Sequence, residues 1–334
     1  MQDTHISLAH GNGGRYMREL IEELFATHLH NDMLDTQVDA ATIQLEPGEL
    51  IFSTDGFTVQ PLEFPGGDIG SLAVHGTVND LAVAGASPKY LSLNAFIEEG
   101  LEIAQLERII ISLAKAAAEA GVKVVAGDTK VLRKGEGGGL YLATTGIGNK
   151  DPGFKLGLNQ IRDGDALIVS GSVGDHGISV LLAREQFGLR GDLQSDSACV
   201  LPLTRALSGV EGVRFMRDPT RGGLATVCHE LVHSTNMGMR INEADIPIHD
   251  PVQSVCDMLG YDPLFLACEG RVVVIVDPTQ AENVLKSWQS LPDGKDAAII
   301  GRVDAELSQV VLHTDLGGER ILEELEDDPL PRIC

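Results

Sequence analysis

Aromatic residues are scarce in this 334-residue chain, at 4%, with a single Trp. Few rings leave the core to Val, Ile, Leu and Ala, a composition frequent in mixed α/β proteins. Cysteine is sparse too: Cys199, Cys228, Cys256, Cys268 and Cys334 are five in number, with no CxxC pair among them. An odd, scattered set fits neither a disulfide framework nor a zinc ribbon. Basic side chains are outnumbered, 25 against 49 acidic, for a formal net charge of -24. A nucleic-acid backbone would meet net repulsion with no basic stripe to offset it, so no nucleic-acid partner is expected. No apolar window approaches the roughly 18 residues that a membrane span needs. Residues 1–30 also lack a basic start followed by an apolar run, so no signal peptide is expected either. A cytoplasmic location with reduced thiols is the expectation.

What is present is a globular balance of 43% hydrophobic and 22% charged residues, long enough for two domains with separate cores. Apolar positions Met17, Leu20, Ile21, Leu24 and Phe25 predict a helix over 14–28, which makes "HGNGG" (10–14) a glycine loop ahead of it. "LIFSTDGFTV" (50–59) reads as a strand ending at Asp55. "GSLAVHGTVNDLAVAGA" (70–86) reads as an apolar helix with one acid, Asp80. A strand over 89–97, a helix over 102–121 and a strand over 122–132 follow, then a turn into "LYLATTGIG". "NKDPGFKLGLNQIRDGD" (149–165) has the composition of a linker. Beyond it the pattern predicts a strand "ALIVSGSVG", helices near 176–187, 199–208 and 222–235, a strand over 271–276, a helix through Trp288 and a strand "AAIIGRV".

The domains expected are therefore 1–150 and 151–314, with 315–334 an acidic, flexible tail. From Asp315 onward, seven acidic residues and one Arg precede the prolines, so this stretch is expected to stay off the core.

Three acids stand beside apolar runs: Asp55, Asp80 and Asp128. Hard cations such as Mg²⁺ take oxygen ligands, commonly one or two carboxylates together with substrate phosphates, so these residues suggest an ATP–metal cradle. Lys130 is two residues beyond Asp128, and strand alternation turns both to one face, a carboxylate for metal beside an ammonium for phosphate. The plainer alternative makes each Asp a cap, a turn residue or half of an ion pair. No G-x-x-x-x-G-K-[ST] string occurs, which excludes a P-loop. "GSVGDHG" (171–177) and "TRGG" (220–223) are glycine turns before helices that offer N–H groups to phosphate or serve packing alone. Glu269, between apolar segments in "LFLACEGRVVVIV", suits a general base whose proton affinity burial raises, or else an ion pair with Arg271 or Lys295. His10, His75, His176 and His229 have no metal-like spacing and read as structural or polar-surface residues. Cys199, Cys228, Cys256 and Cys268 read as inert core thiols.

Taken together, "LAHGNGG", "FSTDGF", "FPGGDIGSLAVHGTVNDLAVAGASPKYLS", "AGDTKVL", "SGSVGDHG", "RDPTRGG", "ACEGR", "GKDAAIIG" and the terminal "PRIC" resemble, over essentially the whole chain, the carbamoyl dehydratases of [NiFe] hydrogenase maturation. Their wider family includes aminoimidazole ribonucleotide synthetase, selenophosphate synthetase and thiamine monophosphate kinase. "GDTK" points only to that wider family, whereas "PRIC" points to the hydrogenase-maturation branch. The resemblance implies an α/β (α+β) fold of two domains, an N-terminal sheet domain that dimerises with ATP near the interface, and a larger α/β C-terminal domain.

It further implies that Cys334 receives a carbamoyl group from the carbamoyltransferase HypF, that ATP dehydrates the thiocarbamate to a thiocyanate, and that the cyanide passes to iron on the HypC–HypD scaffold. Asp55, Asp80 and Asp128 match the family's Mg²⁺-binding acids, Lys130 its nucleotide-site lysine and Glu269 its candidate base. Gly11, Gly13, Gly14 and Asn79 are expected over the phosphates, and Arg221 at the nucleotide. Two other readings stay open: a sister enzyme that activates another oxygen with ATP and has no use for Cys334, and a non-enzymatic thiol carrier that tolerates loss of Asp80 and Lys130.

Overall fold

A computed structural model describes residues 3–38, 40–184, 188–189, 191–314 and 316–325. The chain divides into two compact units. One takes the chain up to Leu81 and Ala86–Lys150, the other Ala82–Gly85 and the chain from Asp151.

The first unit opens with α1 (Arg15–Leu20), which widens into a π-helical stretch over Ile21–Ala26. Strand β1 (Leu50–Phe57) and the small hairpin β2 (Glu63–Phe64) and β3 (Gly67–Asp68) follow, then α2 (Ile69–Val83), β4 (Ala86–Glu98), α3 (Ile103–Ala120), β5 (Lys123–Leu132) and β6 (Leu140–Lys150). The main sheet has the order β1-β6-β4-β5, with β4 and β5 parallel and the other pairs antiparallel. Asp68 Oδ1 accepts from the Gly70 and Ser71 N–H groups and so starts α2. Leu106, Ile109, Ile110 and Leu113 form the buried stripe of α3, and Gly121 at φ 72° ends it. At Gly70 a Cβ would stand 2.3 Å from the Ile109 carbonyl oxygen, so only glycine lets α2 and α3 approach this closely.

One face of the sheet is buried: Leu91, Leu93, Ala95 and Ile97 alternate toward it, and Thr77 and Leu81 of α2 lie against Gly146 of β6. The opposite face carries exposed apolar side chains, with Phe52 at 67% and Phe96 at 37% accessibility.

The second unit contains β7 (Ala166–Val169), α4 (Asp175–Ala183), α5 (Leu201–Arg205), β8 (Val213–Arg217), α6 (Gly223–Thr235), β9 (Gly238–Asn242), α7 (Asp250–Leu259), β10 (Val273–Val276), α8 (Ala281–Gln289), β11 (Ala298–Asp304), β12 (Val310–His313) and β13 (Glu319–Ile321). These strands make one seven-stranded sheet in the order β13-β12-β9-β11-β7-β10-β8. Every residue of β7 and β10 is buried, which explains why both read as unbroken apolar runs rather than alternating ones. Leu167, Val169, Val273 and Ile275 pack with α6 in one core. Ala166, Ile168, Val274 and Val276 pack with α5 and α8 in another, where Trp288 Nε1 donates to the Leu203 carbonyl.

Several expectations change. Strand β1 continues past Asp55 because its ladder with β6 runs on to Phe57 opposite Leu142, so Asp55 lies within the strand and not at its end. Part of the stretch expected to stay off the core joins it: β13 pairs with β12, and Leu322 is 2% exposed within the first core. Its apolar residues, not its net charge, decide its placement there. Strands β8, β9 and β12 and helix α7 are elements that the sequence pattern did not announce. Cys334 lies outside the described residues. Among the described residues, no helix is long and apolar enough to cross a membrane.

Candidate functional site

Within the first unit the candidate residues fall into two groups. Asp55 and Ser53 share one face of β1, and α2 covers that face. The Asp55 carboxylate comes within 3.8 Å of where a Cβ on Gly76 would stand. One turn further along α2, Asp80 Oδ2 accepts a 2.6 Å hydrogen bond from the Ser53 hydroxyl. Asn79 is buried beside it. His75, on the same helix, is held neutral, its pKa lowered to about 4 by burial, so it brings no positive charge to these acids.

The second group lies at β5. Asp128 and Lys130 are exposed, and Lys130 Nζ reaches Asp128 Oδ2 at 2.5 Å, the same-face meeting that strand alternation predicts. The glycine loop is held at this edge. Gly11 rests on Val131, where a Cβ would stand 2.9 Å from the valine Cβ. Gly13 takes φ +74° and Gly14 is the N-cap of α1; a Cβ at either would meet nothing within 4 Å, and the Gly13 N–H donates to Met17 Sδ at 3.2 Å. A cavity of about 180 Å³ opens beside Asp128, lined by Ile21, Phe25, Leu29 and Val124 among others.

The three aspartates do not form a single cradle in one chain. Asp55 pairs with Thr144, Thr144 with Leu93, and Leu93 with Gly127, the neighbour of Asp128. Asp55 and Asp128 thus stand at opposite edges, three strand spacings or roughly 14 Å apart, with side chains on opposite faces. Among the described residues, no cluster of three or more His, Cys, Asp or Glu side chains is close enough to hold a metal ion. Two carboxylates with phosphate oxygens suffice for Mg²⁺, so Asp55 and Asp80 fit that ion without Asp128.

In the second unit, Glu269 is buried at 6% exposure. Nearby, the Arg271 guanidinium reaches Asp175 and Asp196, each at 3.4 Å, and donates to the Ser172 carbonyl at 2.9 Å. Arg221 is exposed at the turn before α6. Gly222 and Gly223 take φ values of 75° and 61° in that turn, and a Cβ on Gly223 would stand 2.5 Å from the Leu266 carbonyl oxygen. His10, His176 and His229 are buried, as are Cys228, Cys256 and Cys268, whereas Cys199 is only half-buried. Burial pushes Cys228 up to about 12, the mark of an unreactive thiol.

Sequence reasoning missed Ser53 and Asp196. Alternation along "FSTDGF" would have turned Ser53 to the face of Asp55, whereas nothing local distinguishes Asp196.

The fold and these motifs define a class. The family model described as "AIR synthase related protein, N-terminal domain" matches residues 37–149, and its C-terminal counterpart matches residues 162–313. Carbamoyl dehydratase HypE of Azotobacter vinelandii is 46% identical over 100% of this chain and 98% of its own. A crystal structure of the hydrogenase maturation protein HypE in complex with ATP superposes with a TM-score of 0.93 at 44% identity, covering 98% of this chain and 99% of that one. HypE in a crystal structure of the HypE–HypF complex gives 0.80 at 42% identity, covering 92% and 99%. The chain belongs to the AIR synthase related proteins and, within them, to the HypE family.

Proposed function

We propose that the chain carries a carbamoyl group on the Cys334 thiol as a thiocarbamate and uses ATP to dehydrate it to a thiocyanate, the source of the cyanide ligand on the iron of [NiFe] hydrogenase. The observation that carries this reading is the 46% identity to a carbamoyl dehydratase over the full length of this chain.

The chemistry follows from the leaving group. The thiocarbamate oxygen is a poor one, so it attacks the γ-phosphorus of ATP, ADP departs, and the oxygen becomes part of a phosphate ester. The nitrogen loses one proton as that ester forms and the second as phosphate leaves, and the C≡N bond closes. Glu269 is the group assigned to accept a proton from nitrogen, and Lys130 supplies positive charge to the transferring phosphoryl group. Mg²⁺, held by Asp55 and Asp80, would neutralise phosphate charge. Gly11, Gly13, Gly14 and Asn79 are assigned to the phosphates, and Arg221 to the nucleotide.

A homodimer accounts for the division of the aspartates. The apolar open face with Phe52 and Phe96 suits a second copy, whose β5 edge would bring Asp128 and Lys130 toward Asp55 and Asp80. HypF is the proposed carbamoyl donor and the HypC–HypD complex the proposed acceptor of cyanide. The cytoplasm, where thiols stay reduced and ATP is available, is the proposed location. From Glu323 to Cys334 the chain has twelve residues, and at ~3.3–3.6 Å each they span about 40 Å when extended, enough to serve an external donor and an internal site in turn.

The test is the intact mass of the protein after incubation with HypF and carbamoyl phosphate, then with Mg-ATP, beside a Cys334→Ala control. One carbamoyl group gained and then one water lost is the expected result. ATP hydrolysis with Cys334 unmodified would replace this reading with a sister kinase, and neither change would leave a thiol carrier.

A further inference from the structure

The segment 268–271 is tied down at each successive residue. The Cys268 N–H donates to the Pro219 carbonyl at 3.0 Å, and the Glu269 carbonyl accepts from the Ala198 N–H at 3.4 Å. The Glu269 N–H donates to Asp196 Oδ1 at 3.1 Å. Gly270 has no room for a side chain, since a Cβ would stand 1.9 Å from the Asp196 carbonyl oxygen. Asp196 is thus the side chain seen to hold the backbone of Glu269, and its other carboxylate oxygen faces the Arg271 guanidinium at 3.4 Å. Burying an ionised pair costs stability unless both partners are well satisfied. Here that cost is concentrated beside the one residue assigned to proton abstraction, the kind of site at which perturbed acids gather. Burial raises the Asp196 carboxyl to about 6, with Arg271 opposing that shift and Asp175 adding to it.

We propose that Asp196 is a positioning residue for Glu269: through its hydrogen bond to the Glu269 N–H and its ion pair with Arg271, it sets where the Glu269 carboxyl stands during dehydration. The inference rests on Glu269 being the base. Holding a reacting group within about half an ångström is what such supporting contacts achieve, and a displacement of about 1 Å can cost on the order of 100-fold in rate. Asp196 touches neither substrate nor nucleotide in this role, so it affects one step only.

The experiment is single-turnover dehydration of the full-length protein, already carbamoylated on Cys334, followed by intact mass after adding Mg-ATP. Asp196→Ala is expected to slow the step about 100-fold, with ATP affinity and carbamoylation unchanged. Asp196→Asn keeps an acceptor for the Glu269 N–H and is expected to restore most of the rate. In a Glu269→Gln background, Asp196→Ala should cost nothing further, because two residues acting as a unit are not additive. A cost that persists in that background, or a parallel loss of ATP affinity, overturns the positioning role. Wild-type dehydration by Glu269→Gln alone overturns the assignment of the base, and the positioning role with it. Should the alanine variant fail to fold, Asp196→Ser, too short to reach the Glu269 N–H, replaces it in the same comparison.

Discussion

The Ser53 hydroxyl donates to Asp80 Oδ2 at 2.6 Å, joining β1 to α2 at the point where Asp55 also faces the helix. This contact fixes one oxygen of the Asp80 carboxylate. Ser53→Ala should therefore weaken Mg-ATP binding without unfolding the protein. A hydrogen bond to a charged group is worth about 1.5–3 kcal/mol, so a drop of at least tenfold is expected, measured by calorimetric titration. Asp80→Asn, which removes the charge itself, should lower turnover by about 100-fold or more.

Lys130 and Asp128 form an ion pair in which both side chains are more than half exposed. Such pairs add little to stability, so Lys130→Ala should change the unfolding free energy by no more than about 0.5 kcal/mol. Phosphoryl transfer depends far more on positioned charge, and ATP hydrolysis by the same variant should fall about 100-fold or more. Activity lost with the denaturation midpoint unmoved is the expected combination.

Phe52 presents 67% of its surface on the open face of the first unit's sheet. If a second copy covers that face, Phe52→Glu places a charge in an apolar interface. Analytical ultracentrifugation should then find a folded monomer, and ATP turnover should be lost with the dimer. A dimer that persists in this variant would place the interface elsewhere.

His176 is buried, its pKa lowered to about 3 from the ordinary 6.5. The fold thus refuses a proton that the unfolded chain accepts. The stability this group contributes is complete above pH of about 6.5 and is lost progressively as pH falls toward about 3. The advantage of the wild type over His176→Gln should shrink by about 1.4 kcal/mol per pH unit within that window, as read by urea denaturation at pH values near 6, 5 and 4.

Elements whose signal is local were legible in advance. The stripe of α3 with its terminal glycine, the glycine loop before α1 and the unbroken apolar runs of β7 and β10 all carry their periodicity in adjacent residues. The meeting of Asp128 and Lys130 was legible for the same reason, because two residues on one strand share a face whatever surrounds them. Strand β1 running through Asp55 was not, because its extent depends on pairing with β6, which lies about ninety residues away. Likewise β13 reads as part of an acidic tail until β12 is beside it.

The sequence by itself determined the set of chemical groups: carboxylates, a lysine, a glycine loop, a glutamate between apolar segments and the Cys334 thiol, in motifs specific enough to indicate a family. Only the tertiary structure decided how those groups are shared out. Hydrogen-bonding register across four strands sets Asp55 with Asp80 on one side and Asp128 with Lys130 on the other, and close packing brings Asp196 under Glu269 from 73 residues away. Neither relationship is encoded in any short stretch, because distances between strands and across a core arise only when the chain closes on itself and buries its apolar surface.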